Sequence, residues 1–179
     1  MPGRRYRKEK ETYRLELKVR NEIPLFSEPV LCKKIIDGLR WCCDKRGLRL
    51  FEYMLLPSRL LMISNAAWGH VSDIFESYRK FSSKAVIQIL IRRQHDPAME
   101  EFRKGLLSKS HPQEISIWVQ NDTIQTLRNR DEADKAAVEI LSLPVQEGIA
   151  DRPEDYRYCS AHPQNPLHEW TVSAIDPWS

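Results

Sequence analysis

Residues 54–63, Met-Leu-Leu-Pro-Ser-Arg-Leu-Leu-Met-Ile, constrain this chain more than any other stretch. Pro57-Ser58 divides the run, because proline cannot donate to a sheet ladder and favours turns. The run therefore reads as two apolar strands meeting at a tight turn. The second half is almost wholly apolar, the pattern of a central strand covered on both faces. Its one awkward residue is Arg59.

The flanking segments supply the rest of a sheet. Residues 12–19 alternate, with Tyr13, Leu15, Leu17 and Val19 on one side and Arg14, Glu16 and Lys18 on the other, as in a half-buried strand. Ser27-Glu28-Pro29 is a helix start, with Ser27 as the expected cap. The helix runs to about Arg46 on a stripe of Leu31, Ile35, Leu39 and Cys42, and Gly47 is its expected C-cap. Residues 48–56 form the next strand, with Leu50, Glu52, Met54 and Leu56 expected on one face and Phe51, Tyr53 and Leu55 on the other. A long helix over 70–93 has the expected apolar stripe Val71, Ile74, Phe75, Tyr78, Phe81, Ala85 and Ile89.

A short amphipathic helix follows over 97–107. Residues 115–119 alternate and are read as the fourth strand, with a hairpin return through Ile124 and Leu127. A last helix over 131–142 is ended by Pro144. The order of strands and helices predicts an α+β fold with a ferredoxin-like βαββαβ core. That core is an antiparallel sheet with helices packed on one face, here with an extra C-terminal helix and an irregular tail. The organisation expected is a basic arm over 1–11, one domain over 12–161 and a tail over 162–179. Trp170 and Trp178 are expected to pin that tail among its prolines.

Composition fits one globular domain: 179 residues, 41% hydrophobic and 30% charged. The net charge of +3 permits a nucleic-acid partner without demanding one. No apolar run approaches a bilayer span, and the basic N-terminus lacks the apolar core of a secretory signal. The four cysteines, Cys32, Cys42, Cys43 and Cys159, form no Cys-x-x-Cys pair and read as reduced, buried thiols. A cytoplasmic protein without a membrane partner is expected.

The residues taken alone reveal no active site. There is no phosphate-cradling glycine loop and no Gly-x-Ser-x-Gly elbow. The histidines, His70, His95, His111, His162 and His168, include no pair at metal-ligand spacing on one element.

Several segments, in order, resemble the HUH-type single-tyrosine insertion-sequence transposases, most nearly their REP-associated tyrosine transposase branch. Gly-Leu-Arg-Leu-Phe-Glu-Tyr-Met-Leu-Leu-Pro-Ser at 47–58 resembles the family's approach to its metal motif. Tyr-Arg-Lys-Phe-Ser-Ser-Lys at 78–84 resembles its Phe-Lys-x-x-Thr-Ser-Lys helix. Ile117-Trp118 resembles its late aromatic-Trp strand. Pro144-Val145 with Gly148-Ile149, then Pro-Glu-Asp-Tyr-Arg-Tyr-Cys-Ser-Ala at 153–161, resemble its C-terminal motifs. The likeness runs from about residue 12 to residue 161.

The departures fall on the chemistry. The family's motif is Pro-Asn-His-hydrophobic-His, whose imidazoles lie on one strand face and hold magnesium or manganese. That cation polarises a scissile phosphate, which a helix tyrosine attacks. Here the two histidine positions are Arg59 and Leu61, neither of which can ligate a cation. No tyrosine lies between Tyr78 and Tyr156, where the nucleophile is expected, and the family's Tyr-Ile-x-x-Asn-Pro has Glu139 and Leu143 at its Tyr and Asn.

The resemblance therefore implies a transposase-like DNA-binding protein that has lost metal- and tyrosine-dependent nicking, with no cofactor. Single-stranded or hairpin DNA is the implied partner, and family members occur as monomers and as homodimers. The candidate DNA-binding residues are Arg59, Lys45, Arg46, Arg79, Lys80, Lys84, Arg92 and Arg93. A solvated helix face explains the same charges without DNA. The alternative is a protein-interaction or structural module on the same fold, suggested by the modest charge and the Trp- and Pro-rich tail.

Overall fold

The structure, a computed structural model, describes residues 11–93, 96–107, 116–120 and 123–172. Its order is β1 (Thr12–Lys18), α1 (Pro29–Arg46), β2 (Leu48–Leu56), β3 (Arg59–Ala66), α2 (Val71–Arg92), α3 (Pro97–Leu107), β4 (Thr123–Leu127) and α4 (Arg130–Gln146). The strands form one antiparallel sheet in the order β2-β3-β1-β4. With the two crossover helices this is the ferredoxin-like arrangement expected from the sequence.

The apolar run at 54–63 explains why both faces are covered. Leu55, Leu60 and Met62 enter the core beneath α1 and α2, with Leu15, Leu17, Ile35, Leu39, Phe75 and Tyr78. Met54, Leu56, Leu61 and Ile63 enter a second core beneath α4, with Leu127, Ala136, Ile140 and Cys159. The two crossover helices thus share one face, and the extra C-terminal helix occupies the other.

Five readings of the sequence need correction. In β2, Leu50 pairs with Ser64 but Glu52 pairs with Ile63, so Phe51 is an extra residue in a β-bulge. The bulge reverses the alternation. Leu48 and Leu50 therefore share a face with Tyr53 and Leu55, and not with Met54 and Leu56.

The fourth strand is Thr123–Leu127, the expected hairpin return, and not 115–119. Trp118 makes only an isolated bridge to Val19. Its indole Nε1 donates to Ser82 Oγ at 2.9 Å, and Ile117 N donates to Ser83 Oγ at 3.2 Å. These bonds tie the segment to α2 instead of extending it as a ladder.

The same serines correct the α2 stripe. Ser82 and Ser83 are buried, whereas Phe81 is 42% exposed. Finally, α4 continues past Pro144 to Gln146, so Ile140 O loses its usual helical donor two residues before the helix ends. At the start of α1 the cap position belongs to Glu28, without a side-chain capping bond.

Gly47 ends α1 in the left-handed region at φ 79°, and a Cβ there would lie 2.6 Å from the Trp68 ring. Both constraints require glycine.

The outer edge of β2 is capped by the segment after α4. Leu55 N donates to Tyr158 O at 2.9 Å, Ser160 N to Tyr53 O at 3.0 Å and Val172 N to Leu50 O at 2.8 Å. Tyr53 OH donates to Asn165 Oδ1 at 3.0 Å inside this cover. Trp170 pins it as expected, donating to Asp44 Oδ1 at 2.9 Å beneath the Arg40 guanidinium. Trp178 and the basic run at 4–10 lie outside the described residues. The cysteines are free, with Cys32, Cys42 and Cys159 buried and Cys43 half-buried.

Glu52 lies under this cover and accepts from Ser160 Oγ. Burial raises its pKa above the ordinary 4.5, and the Ser160 bond opposes the rise. The fold favours the neutral acid, so this contribution to stability is present below pH 4.5 and is lost as pH rises. Glu52→Gln, which keeps an acceptor for Ser160, is expected to raise the urea midpoint at neutral pH. The gain should vanish below pH 4.5.

Candidate nucleic-acid interface

Arg59 and Leu61 lie two residues apart on β3, so both project from the α4 face of the sheet. Leu61 is 1% exposed and pairs with Met54 on β2 and Glu16 on β1. Arg59 stands next to the Pro57-Ser58 turn. Its Nη1 donates to Glu16 Oε1 at 3.3 Å, and its Nη2 donates to Glu147 Oε1, just past the end of α4. Its side chain is only 27% exposed.

This triad is part of a longer ladder between β1 and α4. Alternation gives β1 three charges on the α4 face: Arg14, Glu16 and Lys18. Arg14 pairs with Glu139, and Lys18 lies 3.8 Å from Glu16. Glu139, Leu143 and Glu147 follow one line of α4 at four-residue spacing. The ladder holds Arg14, Lys18 and Arg59 against Glu16, Glu139 and Glu147, three cations to three carboxylates. Its formal charges balance within the ladder.

The positions that resemblance assigns to metal and nucleophile are thus structurally engaged. Leu61 is core, Arg59 is held by two carboxylates, and Glu139 is held by Arg14. A guanidinium and an isobutyl group do not fit a divalent cation. Among the described residues no group of three or more His, Cys, Asp or Glu could hold a metal ion.

The other candidate cations lie on the opposite layer, α1 and α2, so the eight do not form one groove. Arg93 pairs with Glu28 at 2.7 Å and Asp96 at 3.7 Å, closing the ends of the antiparallel helix pair. Lys80 pairs with Glu76 at 2.8 Å. At 100° per residue, Arg79 and Lys80 point away from α1. Arg46 donates to Ser77 Oγ at 3.0 Å and lies over the Trp41 ring. Lys45, Lys84 and Arg92 are exposed.

Sequence reasoning missed Trp41 and Phe81, whose rings stack at 5.7 Å on this outer surface. Trp41 lies off the buried stripe of α1, which was the available signal. Phe81 was hidden because it falls next to the true stripe of α2.

Comparison with known proteins bears out the fold. A REP-associated tyrosine transposase bound to a REP hairpin is similar with a TM-score of 0.55 and 17% identity, covering 98% of this chain and 93% of that chain. A protein designated a transposase from Deinococcus radiodurans R1 is similar with a TM-score of 0.48 and 14% identity, covering 78% and 95%. No family model matches, and no curated protein matches. The chain thus has a transposase-like fold, that of the first of these structures. Among the described residues no helix is long and apolar enough to cross a membrane.

Since Leu61 is core, Leu61→His should be costly. Burying an imidazole in place of leucine is expected to lower the unfolding free energy by about 2 kcal/mol or more. Urea denaturation would measure this. A variant of unchanged stability would show that the position is open.

Proposed function

We propose that this is a cytoplasmic, transposase-like DNA-binding protein that has lost metal- and tyrosine-dependent nicking and binds single-stranded or hairpin DNA. The observation that carries the reading is the ladder of Arg59, Glu16 and Glu147 beside Arg14 and Glu139. It occupies the face where resemblance implies the chemistry, and it leaves neither a metal donor pair nor a tyrosine. The partner class follows the fold, since the similar transposase is one bound to a hairpin. Exposed cations outside the ladder supply the means of holding phosphates.

The alternative reading, a protein-interaction or structural module, rests on the modest charge and the Trp- and Pro-rich tail. Trp170, in the tail that suggested it, is spent on Asp44 and Arg40 of this chain.

The direct test incubates the protein with a labelled hairpin bearing a single-stranded flank, with magnesium or manganese. Binding that weakens steeply with added salt is expected, without strand cleavage. A covalent protein–DNA product would refute the loss of chemistry. Absence of binding at low salt would refute the DNA role.

A further inference from the structure

The outer surface of the α1–α2 pair carries several cations around two aromatic rings. Projected at 100° per residue, Val30, Lys34, Trp41 and Lys45 of α1 lie toward α2. Ser77, Phe81, Lys84, Gln88 and Arg92 of α2 lie toward α1. The carboxylates of α1 are already engaged. Asp37 is taken by Lys33 and Arg40, and Asp44 by Trp170. Lys34, Lys45, Lys84 and Arg92 make no ion pair among the described residues.

Two aromatic rings sit in the middle of these cations. Gly38 lets the helices approach so closely that a Cβ there would lie 3.0 Å from the Tyr78 ring and 3.3 Å from the Phe81 ring. One turn further along α1, Trp41 stacks on Phe81 with planes 10° apart. Trp41 is 36% exposed and Phe81 42% exposed. Arg46 lies 5.8 Å above the Trp41 ring while held by Ser77. A solvated helix face needs no such pair. Exposed flat rings bordered by unpaired cations match the two halves of a nucleotide: a base to stack and a phosphate to neutralise.

We propose that the outer α1–α2 face binds single-stranded DNA, with a base stacked against Trp41 and Phe81 and the backbone tracking Lys34, Lys45, Lys84 and Arg92. This rests on the DNA-binding reading and assigns it a surface. The strand lies on the layer opposite the neutral ladder around Arg59, where phosphate would meet paired charge. Stacking on rings implies weak sequence preference and a preference for unpaired bases over duplex, whose bases are already stacked.

The test measures anisotropy of a labelled oligothymidylate and of a duplex of equal length, with the full chain. The wild type is expected to prefer the single strand. Trp41→Ala and Phe81→Ala should each weaken it about ten-fold or more. Both side chains are exposed, so circular dichroism should be unchanged. Removing Lys34, Lys45 and Lys84 together should flatten the salt slope by about 2, at roughly 0.7 per phosphate contact. Lys33 is paired with Asp37, so Lys33→Ala is the control and should bind as wild type.

Wild-type binding that survives both aromatic substitutions would overturn this surface and leave the DNA role intact. No wild-type binding would overturn both. Aromatic variants that change the sedimenting mass without changing affinity would assign the face to a second copy of the chain, and would also overturn the proposal.

Discussion

The guanidinium of Arg59 lies between Glu16 of β1 and Glu147 at the end of α4, and that contact joins the sheet to the helix that covers it. An arginine beside the core of a sheet must be met by carboxylate, since a desolvated, unpaired charge is far costlier than a paired one. Glu16 comes from the neighbouring strand and Glu147 from the covering helix. One side chain therefore ties turn, sheet and helix together. The apolar part of α4, Ala136 and Ile140, covers β2 and β3, while the charged ladder seals the side over β1.

The two faces of the sheet consequently have different characters. On the α4 face every formal charge of the ladder has a partner, and the position beside Arg59 is filled by Leu61. On the α1–α2 side the sheet is hidden beneath two helices, and their outer surface carries cations without an ion-pair partner among the described residues and an exposed aromatic stack. The fold is similar to that of a REP-associated tyrosine transposase, and in this chain the α4 face of the sheet is an interface between layers.

Much of this was legible in the chain. Pro57-Ser58 announced the hairpin, alternation marked β1, and Gly47 marked the end of α1. That Arg59 and Leu61 cannot ligate a cation could be read directly from their types. The pairing of Arg59 could not, because its partners lie 43 and 88 residues away in sequence. Phe51 misled the reading of β2, since a bulge inserts one residue without any change in composition. Ser82 and Ser83 misled the reading of α2, since polar residues buried to hold Trp118 look like surface in a periodicity argument. Phe81 was then drawn into the core stripe by mistake, which concealed the exposed stack.

The most direct measurement is a double-mutant cycle on unfolding free energy with Arg59→Met, Glu147→Gln and the pair. Both side chains are partly exposed, so the coupling expected is about 1 kcal/mol, falling with added salt. A coupling indistinguishable from zero would contradict the closed face: Arg59 would then be free in solution and available to phosphate.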